Sequence, residues 1–102
     1  MNNLTIHIAH NDDTKSGAFF VPGEGDQRLA EMTYLHAKDK AIIIDHTLVK
    51  EALRGQGVGH TLLNEAVRYV RQNEMKLMAT CPWALEELEK HDQYQDVFVA
   101  GK

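Results

Sequence analysis

Apolar and polar residues alternate at the start of the chain, and the period lengthens past its midpoint. In "LTIHIAH" the residues Leu4, Ile6 and Ile8 fall on one face, which predicts a half-buried strand. A polar stretch opening with "NDD" runs to Gly17. There the apolar run "GAFFV" predicts a short strand, stopped by Pro22 and the turn "PGEGD". "QRLAEMTYLHA" predicts a longer strand, and "KDK" a polar turn into "AIIIDHTLV". The block Ile42–Ile44 is β-branched and apolar on both faces, which suits a central strand. The first half therefore reads as an antiparallel meander of about four strands.

From Val58 the apolar residues fall at 58, 62, 63, 66, 67, 69 and 70, with His60, Asn64, Glu65, Arg68, Arg71 and Gln72 facing outward. This spacing predicts one amphipathic helix of about four to five turns, beginning near Gly57. "KLMATC" predicts a core strand with Leu77, Ala79 and Cys81 on one side. "PWALEELEKH" opens on proline, the residue best tolerated in a first helical turn, and predicts a second, shorter helix. "DVFVA" reads as a short terminal strand. No internal repeat, low-complexity tract or linker interrupts residues 1–102, so one domain of the α/β (α+β) class is expected.

Composition narrows the function classes. Hydrophobic residues make up 43% and charged residues 25%, as in ordinary globular proteins. The net charge of −4 supplies no positive field for nucleic acid or an anionic membrane. No apolar stretch approaches the roughly 18 residues of a membrane span, and the N-terminus lacks the pattern of a signal peptide. The single cysteine, Cys81, cannot form an internal disulfide, which points to a reducing compartment; a cytoplasmic location is expected.

The chemistry concentrates in "EALRGQGVGHTLL", residues 51–63, between a buried strand and a helix. A helix start leaves about four backbone N–H groups without internal partners and carries partial positive charge. Glycines permit φ > 0 and let a bulky anion approach those groups. A strand, a glycine loop and a helix mouth together make a seat for phosphate. A tight turn with no ligand is the simpler alternative. The P-loop pattern fails because Arg54 occupies its first glycine position and His60 replaces its lysine. The dinucleotide fingerprint fails because Gly55 and Gly57 would require glycine at His60.

What fits is R-x-x-G-x-G, filled by Arg54, Gly57 and Gly59. With "HT" before the loop, "TCP" ending the next strand and a Tyr after a following His, the chain resembles the GCN5-related N-acetyltransferases, in particular a subgroup of roughly 100 residues. The resemblance spans nearly the whole chain and implies a minimal version of that fold: a mostly antiparallel sheet of about five to six strands, a long helix after the fourth strand, and a shorter C-terminal helix. The chain departs from the subgroup at Asp92, where proline often follows the histidine of the last helix. Full-size members also carry two helices between their first two strands that help cover the acceptor. Here only a short polar stretch stands in that place, leaving the acceptor open.

The resemblance implies acetyl-coenzyme A as cosubstrate, held by the backbone from Arg54 through Gly55, Gln56, Gly57, Val58 and Gly59 to His60. It further implies that the main chain of Leu48 and Val49 pairs with the pantetheine arm, and that Cys81 and Pro82 lie beside it. A backbone N–H at that strand end would stabilise the oxyanion formed when an amine attacks. Cys81, immediately before Pro82, would occupy a position like a helix N-cap, a setting that favours thiolate. His46 near the end of the neighbouring strand is the expected proton acceptor for Cys81. The competing reading makes Cys81 a small buried apolar thiol. Asp45 and His46, as consecutive strand residues, are expected on opposite faces. Glu51 is an alternative general base and Tyr94 a candidate general acid. A surface role for Glu51 and ring packing for Tyr94 are their alternatives. Trp83 is expected in the core or along the pantetheine groove.

No metal is expected, since His7 and His10 fall on opposite faces of a strand and His36, His60 and His91 have no partners at ligand spacing. Acetyl transfer from acetyl-coenzyme A to an amine-bearing small molecule or peptide is the expected function. A module that binds coenzyme A or its acyl forms without turnover is the alternative. No nucleic-acid or membrane partner is expected, and a monomer or weak dimer suffices.

Overall fold

The computed structural model describes residues 7–100. Strands β1 (Ala9–Asp12), β2 (Ser16–Pro22), β3 (Arg28–Ala37) and β4 (Ala41–Val49) form an antiparallel meander. A 3₁₀ turn, Glu51–Leu53, leads to helix α1 (Val58–Gln72). Strand β5 (Lys76–Ala79) then returns parallel to β4, giving the sheet order β1-β2-β3-β4-β5. Helix α2 (Pro82–Lys90) and a second 3₁₀ turn, Asp92–Tyr94, follow.

One face of the sheet is buried against α1. In β3 the alternation puts Ala30, Met32 and Tyr34 inward and leaves Leu35 exposed. Leu62, Leu63, Ala66 and Val70 of α1 meet these residues and Ile42 and Ile44, and Ala84 and Leu88 of α2 join the same core. Fully burying a leucine contributes about 1.5–3 kcal/mol, so Leu62 and Leu63 anchor the helix.

Five expectations change. Asn11 and Asp12, read as a turn, belong to β1 and pair with Ala18 and Gly17. The strand expected over Leu4–His10 overlaps β1 only at its end, and Leu4 and Ile6 lie outside the described residues. Ile43, expected to be buried like its neighbours, is only half-buried because it points to the outer face of the sheet. "DVFVA" makes a single parallel bridge, Leu77 with Phe98, rather than a strand.

The fifth change matters most for the site. Thr33 pairs with His46 but Tyr34 pairs with Ile44, which leaves Asp45 as the extra residue of a β-bulge. The bulge reverses the alternation of β4. Ile42 and Ile44 face the core, and beyond the bulge Thr47 and Val49 turn to that side. Asp45 and His46 therefore share the outer side. Asp45 Oδ1 accepts a hydrogen bond from Thr33 Oγ1 at 2.7 Å, and His46 Nε2 lies 3.8 Å from Glu31 Oε2. They do not point to opposite faces as strict alternation predicts.

Candidate active site

Strands β4 and β5 stay together only as far as the pair Ile44 and Ala79. Beyond it the amides of Thr80 and Cys81 both donate to the Ile44 carbonyl, at 2.9 and 3.1 Å, and the chain turns into α2. The end of β4 keeps its neighbour β3 but has lost β5, so a wedge opens along Thr47–Val49.

The loop before α1 closes the far end of this wedge. Gly55 and Gly57 hold φ of 81° and 74°, in the left-handed region where glycine is at home. Gly57 is the N-cap of α1, and no side chain caps the helix. The Arg54 amide still donates to the Glu51 carbonyl at 3.2 Å; among the described residues, the next amide to find an acceptor is that of Thr61, 3.0 Å from the Gly57 carbonyl. The amides between the two are bare donors at the positive end of a helix of 15 residues.

A groove of about 290 Å³ runs over these donors. Thr47, Val49 and Leu53 line one side, Arg54, Gly55, Gly57, Val58, Gly59 and His60 the other, and Trp83 of α2 forms a wall. A Cβ on Gly59 would come 3.1 Å from the Trp83 ring, so glycine here permits close packing of the two helices. Arg54 folds back along the loop, its Nε donating to the Val49 carbonyl at 3.1 Å. The His60 ring stands edge-on to Trp83 at 5.2 Å, and its Nε2 lies 2.8 Å from Glu87 Oε1. The Glu87 side chain is only 7% exposed and also receives Lys90 at 3.0 Å and His91 at 3.2 Å. Burial alone would raise its carboxyl pKa, but the hydrogen bonds from Lys90 and His60 outweigh burial and hold it below the ordinary carboxylate value.

Cys81 is buried at the N-cap of α2, and its Sγ donates to Thr47 Oγ1 at 3.5 Å. The expected pairing of Cys81 with His46 is corrected by the bulge, which sends His46 to the outer face and brings Thr47 to the thiol. Tyr94 is buried too. Its hydroxyl donates to Asn64 Oδ1 at 2.9 Å, and the residue does not line the groove. Glu51 is exposed on the 3₁₀ turn, Leu48 alternates to the outer side, and Pro82 opens α2; none of the three lines the groove. The Gln56 side chain bonds back to the Ala52 carbonyl at 3.4 Å, also away from it.

Of the residues singled out in the sequence, the structure gathers Val49, Arg54, Gly55, Gly57, Val58, Gly59 and His60 around one groove, with Trp83 as a wall. Thr47 and Leu53 were missed as lining residues. Thr47 stood in the quoted "HT", but strict alternation from Ile42 and Ile44 aims it away from the core. Among the described residues, no three His, Cys, Asp or Glu gather as metal ligands, and no helix is long and apolar enough to cross a membrane. Bare N–H donors beside apolar Val49, Leu53 and Trp83 suit a ligand with an anionic part joined to a less polar arm.

Comparison with known proteins bears on this arrangement. A family model described as GCN5-related N-acetyl-transferase matches residues 18–97. A GCN5-like protein from Staphylococcus aureus, solved in solution, is similar over 97% of this chain and 93% of its own, with 36% identity and a TM-score of 0.77. Protein NATD1 of Xenopus tropicalis is 28% identical over 88 residues, covering 86% of this chain and 78% of its own length. The ribosomal-protein-alanine N-acetyltransferase of Brucella melitensis shares the fold at 19% identity and a TM-score of 0.61, over 88% of this chain and 66% of its own.

Proposed function

Because the chain belongs to the GCN5-related N-acetyltransferase family, we propose that it transfers an acetyl group from acetyl-coenzyme A to a primary amine, with the coenzyme seated in the groove at the start of α1. One observation carries the assignment: an uncapped helix start, reached through two left-handed glycines, opens onto the wedge where β4 parts from β5. Acetyl-coenzyme A supplies the acyl group as a thioester, already activated for attack by an amine.

The chain's own groups divide the work. The amides of Gly55, Gln56, Gly57, Val58, Gly59 and His60 hold the diphosphate, helped by the helix dipole, and Arg54 adds charge at the groove wall. Beyond the end of β5 the main chain of Leu48 and Val49 holds the pantetheine arm in the manner of an added strand, the arm taking the place of the Arg54 side chain at the Val49 carbonyl. A backbone N–H at this strand end faces the oxygen on which negative charge develops. Trp83 and Leu53 exclude water along the arm. Cys81 and Pro82 frame the inner end, where the thiol bonded to Thr47 is the group placed to accept the acyl or to donate a proton to the departing thiolate. His46 and Glu51, both exposed, are the bases available to an amine that approaches from the uncovered side of the sheet.

The test is mass spectrometry of the protein incubated with acetyl-coenzyme A and a panel of polyamines and peptides. Acetylated amine, or acetyl carried on Cys81, supports transfer. Coenzyme retained with no acetyl moved would make the chain a binding module, and neither binding nor transfer would contradict the reading. Cys81→Ala with undiminished turnover would remove the thiol from the chemistry.

A further inference from the structure

The groove wall at His60 is wired to a buried acid that the acetyl-transfer reading does not use. Glu87 sits one helical turn after Trp83, so α2 grips the mouth of α1 at two adjacent residues, with Trp83 over Gly59 and Glu87 on His60. A carboxylate with a side-chain exposure of 7% is rarely found unless paired, and three groups converge on this one. Lys90 alone would balance its charge. His60 and His91 are additional, and of the two only His60 lines the groove.

We propose that Glu87 is a positioning residue that holds the His60 ring at the diphosphate seat and makes coenzyme affinity proton-linked, an inference that rests on the coenzyme reading above. The charge balance follows from the contacts. With both histidines neutral, Glu87 and Lys90 cancel. When His60 takes a proton the pair keeps its geometry, because the protonated ring still donates from Nε2 to the carboxylate, and one positive charge appears on the groove wall. Histidine ordinarily makes this change between pH 5 and 8. The other charged groups near the ring are Arg54 on the loop and His91 and Lys90 around the same acid. Burial opposes it, but the hydrogen bonds from Lys90 and His60 keep the Glu87 carboxyl below the ordinary carboxylate value, so it stays ionised across this window. A diphosphate arriving at the seat therefore favours the protonated ring, and binding draws a proton onto His60.

The strength of the linkage is bounded by exposure. The His60 side chain is 52% exposed, so solvent screens the added charge. An exposed charge pair is worth about 0.2–1 kcal/mol, which converts to about a 1.5- to 5-fold change in affinity.

Calorimetry of coenzyme A binding to the full chain between pH 6 and pH 8, in two buffers of different ionisation enthalpy, counts the protons taken up. The ligand's own phosphate contributes to that count, so the signal is the difference between the wild type and His60→Gln. The expected result is a fractional proton uptake near pH 7 and an affinity gain of about threefold at pH 6, both absent in His60→Gln and both retained in His91→Gln. Glu87→Gln keeps an acceptor for the ring but leaves the Lys90 charge uncompensated, so the proton uptake should shrink, while Glu87→Ala should cost the His60 ring signals in NMR their single fixed environment. Equal proton uptake in wild type and His60→Gln, with coenzyme bound in both, overturns the linkage and leaves the coenzyme seat standing. No heat at any pH removes the seat itself, and the linkage with it.

Discussion

Gly57 holds φ at 74°, where an L-residue is strained by about 1–2 kcal/mol. Nothing lies within 4 Å of a Cβ built there, so Gly57→Ala tests backbone conformation without a steric clash. Urea unfolding should show the variant less stable by about 1 kcal/mol, with an unchanged m-value. Gly59 makes the opposite case. It has no left-handed φ, and its added methyl would press on Trp83 at 3.1 Å. Gly59→Ala should therefore leave the loop conformation alone and loosen the groove wall, with calorimetry showing coenzyme affinity reduced several-fold. Tyr34 is a third position where one atom decides. Its buried hydroxyl donates to Asp12 and lies 2.6 Å from His10 Nε2. Tyr34→Phe leaves Asp12 and His10 short of a partner, so thermal unfolding should report a loss of about 1–3 kcal/mol.

Those last contacts explain an element that periodicity misread. Strand β1 buries little, with three of its four residues exposed. Polar side chains hold it instead: Asp12 takes the Tyr34 hydroxyl and His36 Nε2 at 2.9 Å, and the His10 ring stacks on Phe19 at 4.1 Å. An acidic, hydrogen-bonded edge strand looks like a loop to a hydrophobicity pattern, which is why "NDD" read as a turn. Although the residue as a whole is exposed, its ring packs on Phe19, and the loss of water there lowers the pKa of His10 below its ordinary value, against the opposing pull of Asp12 and Glu65. The folded state thus prefers neutral His10. That stabilisation is complete above the usual histidine pKa and is lost as pH falls from about 6.5 toward the depressed value. Amide exchange of β1 should accelerate over this range, and His10→Phe should flatten the response. An exchange profile indifferent to pH between 7 and 5 after correction for intrinsic rates would contradict this account of the strand.

Elements with a strong period were legible throughout. The apolar stripe of α1 matches the residues buried, from Val58 through Leu62, Leu63, Ala66 and Val67 to Val70. The meander followed from Pro22, the glycine turn and "KDK". The bulge at Asp45 was not legible, because nothing in "IIIDHTLV" distinguishes one extra residue from regular pairing, yet it decides which of His46 and Thr47 meets Cys81. The parallel return of β5 was not visible in hydrophobicity either.

At the scale of the whole molecule, both helices and the groove lie with one side of the sheet, and the other side carries exposed polar and apolar residues together. Arg28 lies over the Phe20 ring at 4.1 Å and is 3.2 Å from Glu31, which in turn approaches His46; Leu35 and Leu48 are open to solvent nearby. The parting of β4 from β5 gives the sheet an opening that connects these two sides, and the coenzyme reading places the thioester in it. The most direct test is a titration of the isotope-labelled protein with coenzyme A, followed by backbone amide NMR. Saturable shifts are expected at Gly55–His60 and at Thr47–Val49, with β1 and the end of α1 unmoved. Shifts scattered over the surface without saturation, or none at the glycine loop, would contradict the coenzyme reading.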